Sequence, residues 1–230
     1  MIYITGDTHG GVDINKLVSK NFSPKGLTKD DYVVILGDFG FIWNNTPDKT
    51  EQYWLNWFDV KPWTTLFIDG NHENFNRLNA YPITYWNGGK VHKITDSIIH
   101  LMRGQVYTLQ SKKFFTFGGA NSIDKHLRQE DISWWKGELP SYSEQEEAYS
   151  NLESSNFTID YVLTHTCPQS VMYKLLELNV ISSLYEDPTE KLLEQLNSLM
   201  TYSHWYFGHY HTDLDIDKFT CVYNEVIQLE

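Results

Sequence analysis

Five short apolar runs in this chain end in side chains able to hold a metal ion. Ile2-Tyr3-Ile4-Thr5 leads into Gly6-Asp7-Thr8-His9-Gly10, and Tyr32-Val33-Val34-Ile35-Leu36 leads into Gly37-Asp38-Phe39-Gly40. Thr64-Thr65-Leu66-Phe67-Ile68 runs into Asp69-Gly70-Asn71-His72-Glu73, Ile159 to Leu163 into Thr164-His165, and Trp205-Tyr206-Phe207 into Gly208-His209-Tyr210-His211. Carboxylate and amide oxygens mixed with imidazoles suit borderline divalent ions such as Mn²⁺, Fe²⁺ or Zn²⁺ better than Ca²⁺, which prefers oxygen alone. Seven of these donors are too many for one tetrahedral ion and match two ions sharing a bridging carboxylate. Two ions roughly 3.5–4 Å apart can clamp a phosphoryl group, acidify a water between them, and steady the entering and leaving oxygens.

Positioning these groups requires strands. β-branched and aromatic runs bounded by glycine read as buried strands, and open α/β sheets place ligands at strand C-termini. Between the runs, Asp13 to Lys20 reads as a short helix, and Pro47 and Asp48 open a helix whose Tyr53, Trp54, Trp57 and Phe58 form a core-facing stripe. Asn74 to Ala80 continues as a short helix. Ile98 to Phe117 reads as three antiparallel strands of a second sheet, with turns at Met102-Arg103-Gly104 and Gln110-Ser111-Lys112. A tryptophan-bearing excursion through Trp134-Trp135 to Pro140 precedes a helix starting near Ser143. Pro188 to Met200 is amphipathic, with Leu192, Leu193, Leu196 and Leu199 on one face, and Leu214 to Leu229 reads as two more strands. With no repeat, low-complexity tract or linker, residues 1–230 are expected to form a single domain.

The balance of charges is −12, which repels a phosphate backbone and argues against broad nucleic-acid or anionic-membrane binding. Cys167 and Cys221 form no CxxC pattern, the chain opens directly on strand-like residues, and no apolar run approaches the roughly 20 residues that span a bilayer. A cytoplasmic location is the expectation.

Asp7-Thr8-His9, Gly37-Asp38, Gly70-Asn71-His72-Glu73, His165 and Gly208-His209-Tyr210-His211, in this order and each at a strand end, resemble the five-block signature of the calcineurin-like metallophosphoesterases. Gly118-Gly119-Ala120 and Ser133-Trp134-Trp135 resemble a bacterial and phage branch of small members. The resemblance implies a four-layer α/β/β/α sandwich of two mixed sheets flanked by helices, with the site at one edge. It implies a first metal on Asp7, His9 and His211, Asp38 as the bridge, and a second metal on Asn71, His165 and His209. A hydroxide bridging the two ions, Mn²⁺ above all, would attack a phosphate ester. His72 would bind no metal and instead assist the leaving oxygen as the catalytic residue.

In phosphoprotein phosphatases the second block continues Asp-Arg-Gly, and that arginine grips phosphate; here Gly37-Asp38 is followed by Phe39-Gly40. The chain has three arginines. Arg128, in the excursion after Gly119, is the preferred substrate contact and Arg77 the second choice, although a solvent-exposed role is the simpler reading for each, as for Arg103. Scarce arginine leans toward diesters or nucleotides; a serine/threonine phosphatase-like activity and a non-catalytic scaffold of the same fold are the rivals. His92, His100, His126 and His204 read as surface or packing residues, Trp134 and Trp135 as loop packing, and Cys167 as a buried thiol.

Overall fold

The computed structural model describes residues 1–229. Strands β1 (Ile2–Thr5), β2 (Tyr32–Ile35), β3 (Thr64–Phe67), β4 (Ile83–Trp86), β5 (Gly89–Lys93), β6 (Ile98–Leu101) and β13 (Val226–Gln228) build one sheet in the order β13-β1-β2-β3-β6-β5-β4. Strands β7 (Gln105–Leu109), β8 (Lys112–Phe117), β9 (Tyr161–Thr164), β10 (His204–Phe207), β11 (Leu214–Ile216) and β12 (Phe219–Cys221) build the other, in the order β11-β12-β10-β9-β8-β7. Both sheets are mixed. The centre of each is parallel, and antiparallel strands close the flanks.

Strand alternation generates three cores and therefore four layers. Ile2, Ile4, Val34, Leu66 and Ile99 of the first sheet meet Tyr107, Phe114 and Leu163 of the second in the central core. Their neighbours Tyr3, Val33, Ile35 and Phe67 point the other way, onto Leu55 and Phe58 of helix α1 (Lys49–Asp59). Phe115, Phe117 and Val162 face outward onto three helices, α3 (Tyr142–Ser154), α4 (Gln169–Glu177) and α5 (Pro188–Leu199), through Ala148, Leu152, Leu175 and Leu193. The remaining helix is the single turn α2 (Phe75–Leu78), capped by Asn74.

Four expectations are corrected. Ile98 to Leu101 is not a strand of the second sheet: β6 pairs in parallel with β3, and only β7 and β8 form the second-sheet hairpin. Met102-Arg103-Gly104 is therefore the crossing between sheets, and Arg103 is buried there rather than exposed. Alternation alone does not say which sheet a short apolar strand joins. The Asp13 to Lys20 segment forms only a 3₁₀ turn at Ile14–Leu17, and the C-terminal stretch holds three strands instead of two.

Candidate metal centre

Parallel register gathers the donors. Thr5 of β1 pairs with Ile35 of β2, and Ile35 with Phe67 of β3, so the chain leaves three adjacent strands at one level and delivers Asp7, Asp38 and Asn71 side by side. In the other sheet Phe117, Thr164 and Phe207 are level, which brings His165, the Gly208-His209-Tyr210-His211 block and the Asn121-Ser122 loop to the same edge.

The glycines before the donors let these strand ends approach. A Cβ on Gly70 would stand 2.0 Å from Asp38 Oδ1, and one on Gly37, whose φ is +95°, would stand 2.1 Å from His165 Nδ1. Strain is concentrated here too: His9, Asp38, His209 and His211 all have positive φ, sparsely allowed for residues with a side chain.

Asp38 sits between two sets of donors. Its Oδ2 lies 3.1 Å from His9 Nε2, and its Oδ1 lies 3.4 Å from His165 Nε2. His9, Asp7 and His211 form one close group, with His211 Nε2 3.2 Å from Asp7 Oδ2. Asp7, Asp38 and His165 form another. Asn71 Oδ1 stands 3.2 Å from His165 Nε2, and the His209 ring packs edge-on against His165 at 4.9 Å. The structure thus brings together all seven sequence-predicted donors.

The partners of these donors fix their orientation. His165 Nδ1 donates to the Leu36 carbonyl at 2.8 Å, which leaves Nε2 with its lone pair facing Asp38 and Asn71. His9 Nδ1 lies 2.6 Å from Asp13, so its Nε2 likewise faces inward. Asn71 Nδ2 donates to Ser122 Oγ, which donates to Glu138 Oε2 at 2.7 Å, leaving the amide oxygen for the centre. Asp7 Oδ2 is buried and makes no well-aligned hydrogen bond; its close neighbour is the ring nitrogen of His211, and a cation between the two would satisfy both as ligands. The donor set fits divalent ions.

Electrostatics agree. Burial would lower the His9 pKa, but the neighbouring carboxylates of Asp38, Asp7 and Asp13 outweigh it and push it up to about 9. Burial would raise Asp38, yet His165, His9 and His72 hold it well below the carboxylate range. Burial, with His165 adding to it, drives His209 down to about 3, keeping that imidazole neutral.

His72 belongs to the same edge. Its backbone N–H donates to Asp38 Oδ1 at 2.7 Å, its ring lies nearly parallel to Trp43 at 5.9 Å, and Arg128 Nη2 stands 3.3 Å from its Nε2. Burial lowers its pKa; Asp38 opposes that and Arg128 reinforces it. Arg128 also pairs with Asp124 at 2.8 Å. With Asp38, Asn71, His209 and His211, these two residues line a cavity of about 270 Å³. Arg77 is placed elsewhere: it grips Glu51 through two contacts of 2.6 and 2.7 Å and does not line that cavity.

A calcineurin-like phosphoesterase family model matches residues 1–225. The chain belongs to that family. It is therefore a metal-dependent phosphoric ester hydrolase by family, and its expected two-sheet α/β architecture is the one observed. No curated protein is significantly similar in sequence to this phosphoesterase. Among solved structures, it is similar to a phosphopantetheinyl hydrolase from Mycobacterium tuberculosis, at 15% identity and a TM-score of 0.46 over 97% of this chain and 89% of that one.

Several groups that organise the centre escape a motif reading. Asp13, Ser122 and Glu138 orient donors without being donors, and the Gly118-Gly119 run ending β8 is the sequence signal that a sixth strand end joins the edge. Beneath lies a buried network: Arg103 donates to Asp69 at 2.8 Å and to the Gly137 carbonyl at 2.9 Å, and His100 stands 3.1 Å from Asp69. Of the remaining histidines, His92 and His100 are packed together, His204 contacts Thr220, and His126 is exposed. Trp135 is buried against Trp43, and burial raises the Cys167 thiol well above its ordinary value, which suits a packing role. Among the described residues no helix is long and apolar enough to cross a membrane.

Proposed function

We propose that this chain hydrolyses phosphate esters at a dinuclear centre in which Asp7, His9 and His211 hold one divalent ion, Asn71, His165 and His209 hold the second, and Asp38 serves both. The observation carrying this reading is the division of Asp38, one oxygen toward His9 and the other toward His165. When bound, two such ions supply a water acidified at neutral pH and positive charge for the non-bridging phosphoryl oxygens. Mn²⁺ is the preferred metal because the site mixes imidazole with oxygen donors and includes no thiolate.

The chain's own residues do the rest. Arg128 and His72 face one cavity with the donors, so a phosphoryl group there meets a guanidinium able to donate through Nη2 and an imidazole Nε2 beside it. Once Arg128 has turned its Nη2 from His72 Nε2 to the phosphoryl oxygens, that nitrogen takes up the proton released by the attacking water and passes it to the departing ester oxygen. The orientation of His72 is fixed by the Asp38 contact through its own amide and by the Trp43 face. Arg128 takes the phosphate-gripping role that an arginine after Asp38 would take in a protein phosphatase.

Two measurements test the reading. Elemental analysis of protein saturated with Mn²⁺ and freed of excess should find two ions per chain, and p-nitrophenyl esters should be cleaved only in their presence. One ion per chain would remove the bridging role of Asp38, and cleavage unaffected by chelation would remove the metal mechanism altogether.

A further inference from the structure

Three cavities with lining residues in common surround the mouth of the centre. The central one shares His72 with a cavity of about 420 Å³ lined by Phe41, Trp43 and Trp54. It shares Asn121, Ile123 and His209 with another of about 320 Å³, lined by Met172, Val180, Ile181 and Tyr185. The two flanking cavities differ in character. The first presents indole faces, Trp43 lying nearly parallel to the His72 ring at 25°. The second sets aliphatic side chains beside serines and the carboxylates of Glu186, Asp187 and Glu190, of which Glu190 of α5 has an oxygen left without a partner. That residue is 5% exposed; its Oε1 accepts from the Tyr210 hydroxyl at 2.5 Å, while its Oε2 is buried with no partner.

Within the phosphoesterase reading above, we infer that the substrate is a phosphodiester. One ester arm, planar and aromatic, lies against Trp43 and Trp54; the other, apolar with a hydrogen-bond donor, enters beside Ile181 and reaches Glu190. A phosphate held next to His72 and His209 has a cavity on each side, and only a diester has an organic arm for each. Charge favours the same class. Among the described residues lining the three cavities Arg128 is the one arginine or lysine, and Asp124 already holds it. Arg77 neutralises Glu51 on one flank and Lys191 pairs with Glu186 on the other, which leaves, among the described residues, Asp48 on the first and Asp187 and Glu190 on the second as the carboxylates without a basic partner. A diester brings one negative charge into these surroundings, whereas a monoester brings two near neutrality. The unpartnered Glu190 oxygen selects an arm with an N–H or O–H, because a purely apolar arm would leave it unsatisfied. In the reaction water adds to phosphorus, one P–O ester bond breaks, the departing oxygen takes up a proton, and a phosphomonoester and an alcohol leave.

The test compares kcat/KM of the Mn²⁺-loaded enzyme on the mixed diester 4-hydroxybutyl p-nitrophenyl phosphate, which has one planar arm and one alkyl arm ending in an O–H, and on p-nitrophenyl phosphate, with exposed positions Thr50 and Ser183, one lining each flanking cavity, replaced in turn. The diester should be favoured at least tenfold. Thr50→Trp and Ser183→Trp, which fill the two cavities from outside, should each lower the diester-to-monoester ratio at least fivefold. Each should also weaken binding of the diester to metal-stripped protein, followed by tryptophan quenching without turnover. A preference for the monoester, or a ratio and a quenching curve indifferent to both substitutions, overturns this inference while leaving the phosphoesterase standing. Failure to cleave either ester brings down both.

Discussion

Stripping the metal should turn His9 into the group that governs stability above pH 6.5. Its carboxylate neighbours raise its pKa from 6.5 to about 9 against the opposing effect of burial. A folded-state pKa above the unfolded value gives stability that is full below pH 6.5 and lost as the pH climbs through about 9. Each pH unit in that window costs about 1.4 kcal/mol, so from pH 6.5 to 8 the loss is about 2 kcal/mol. Its side chain is only 16% exposed, so screening by solvent removes little of this. Other groups titrate mostly elsewhere. His209 and His92, driven down to about 3 and 4, act below pH 6.5. Lys16, pushed down to about 8 by burial, acts above pH 8, and Glu190, pushed up to about 7 by burial, is ionised early in the window. For a chain of this size 2 kcal/mol corresponds to a fall in Tm of about 4–8 °C. Thermal unfolding of chelator-treated protein between pH 6.5 and 8 measures it. Saturating Mn²⁺ should abolish the slope, because a ligand imidazole is already neutral, and so should His9→Gln. A Tm flat across the window in the metal-stripped protein, or an undiminished slope in His9→Gln, would refute the electrostatic account of His9.

Further outcomes follow from the geometry. Gly70→Ala forces a methyl to within 2.0 Å of Asp38 Oδ1 and 2.3 Å of its backbone nitrogen; displacing that carboxylate by about 1 Å should cut kcat about 100-fold and weaken metal retention, and wild-type kinetics would show that the approach is not needed. His72→Ala should retain both ions and lose about 10²–10⁴ in kcat; an unaltered rate removes its proton role. Asp38→Asn should lose metal and activity together, as elemental analysis alongside turnover would report. Arg103→Met leaves Asp69 buried and charged beside only His100, so chemical denaturation should find a loss of about 3–5 kcal/mol.

Where the sequence was legible, one local pattern determined the outcome. Ile4, Val34 and Leu66 fill the central core while Tyr3, Val33 and Phe67 fill the outer one, so alternation in these runs encodes both faces of a buried strand. Amphipathic α5 followed from its leucines, although Leu199 is half exposed. The assignment of Ile98 to Leu101 failed for a physical reason. An all-buried tetrapeptide carries no alternation to say which sheet it joins, and that was decided by pairing of Leu66 with Ile99 across a sequence gap no turn spans. Strands β4 and β5 were invisible because Ile83 and Tyr85 of the edge strand β4 face solvent, while Gly89, Lys90 and Lys93 interrupt any apolar run in the mostly buried β5, and only Trp86-Asn87-Gly88-Gly89 marks the hairpin.

The donors were legible because each is announced by its own chain: a strand, a glycine, then a ligand-grade side chain. The groups that aim them were not, because orientation is a property of pairs. Nothing near Asn71 in sequence predicts that Ser122 takes its Nδ2 hydrogen, or that Glu138 holds Ser122. The same holds for Glu138, whose backbone carbonyl accepts from Arg103, which in turn is locked to Asp69 just before Gly70. Followed around, this network leaves the strand carrying Asn71 at Asp69, crosses between the sheets at Arg103, and returns through the 136–138 turn to the Asn71 amide. Such a closed loop makes the amide oxygen a directed donor without any group that itself binds metal. It also explains why a buried ion pair persists one layer below the centre, where a hydrophobic pair would pack as well: its arginine is the link that sets Glu138 over Ser122.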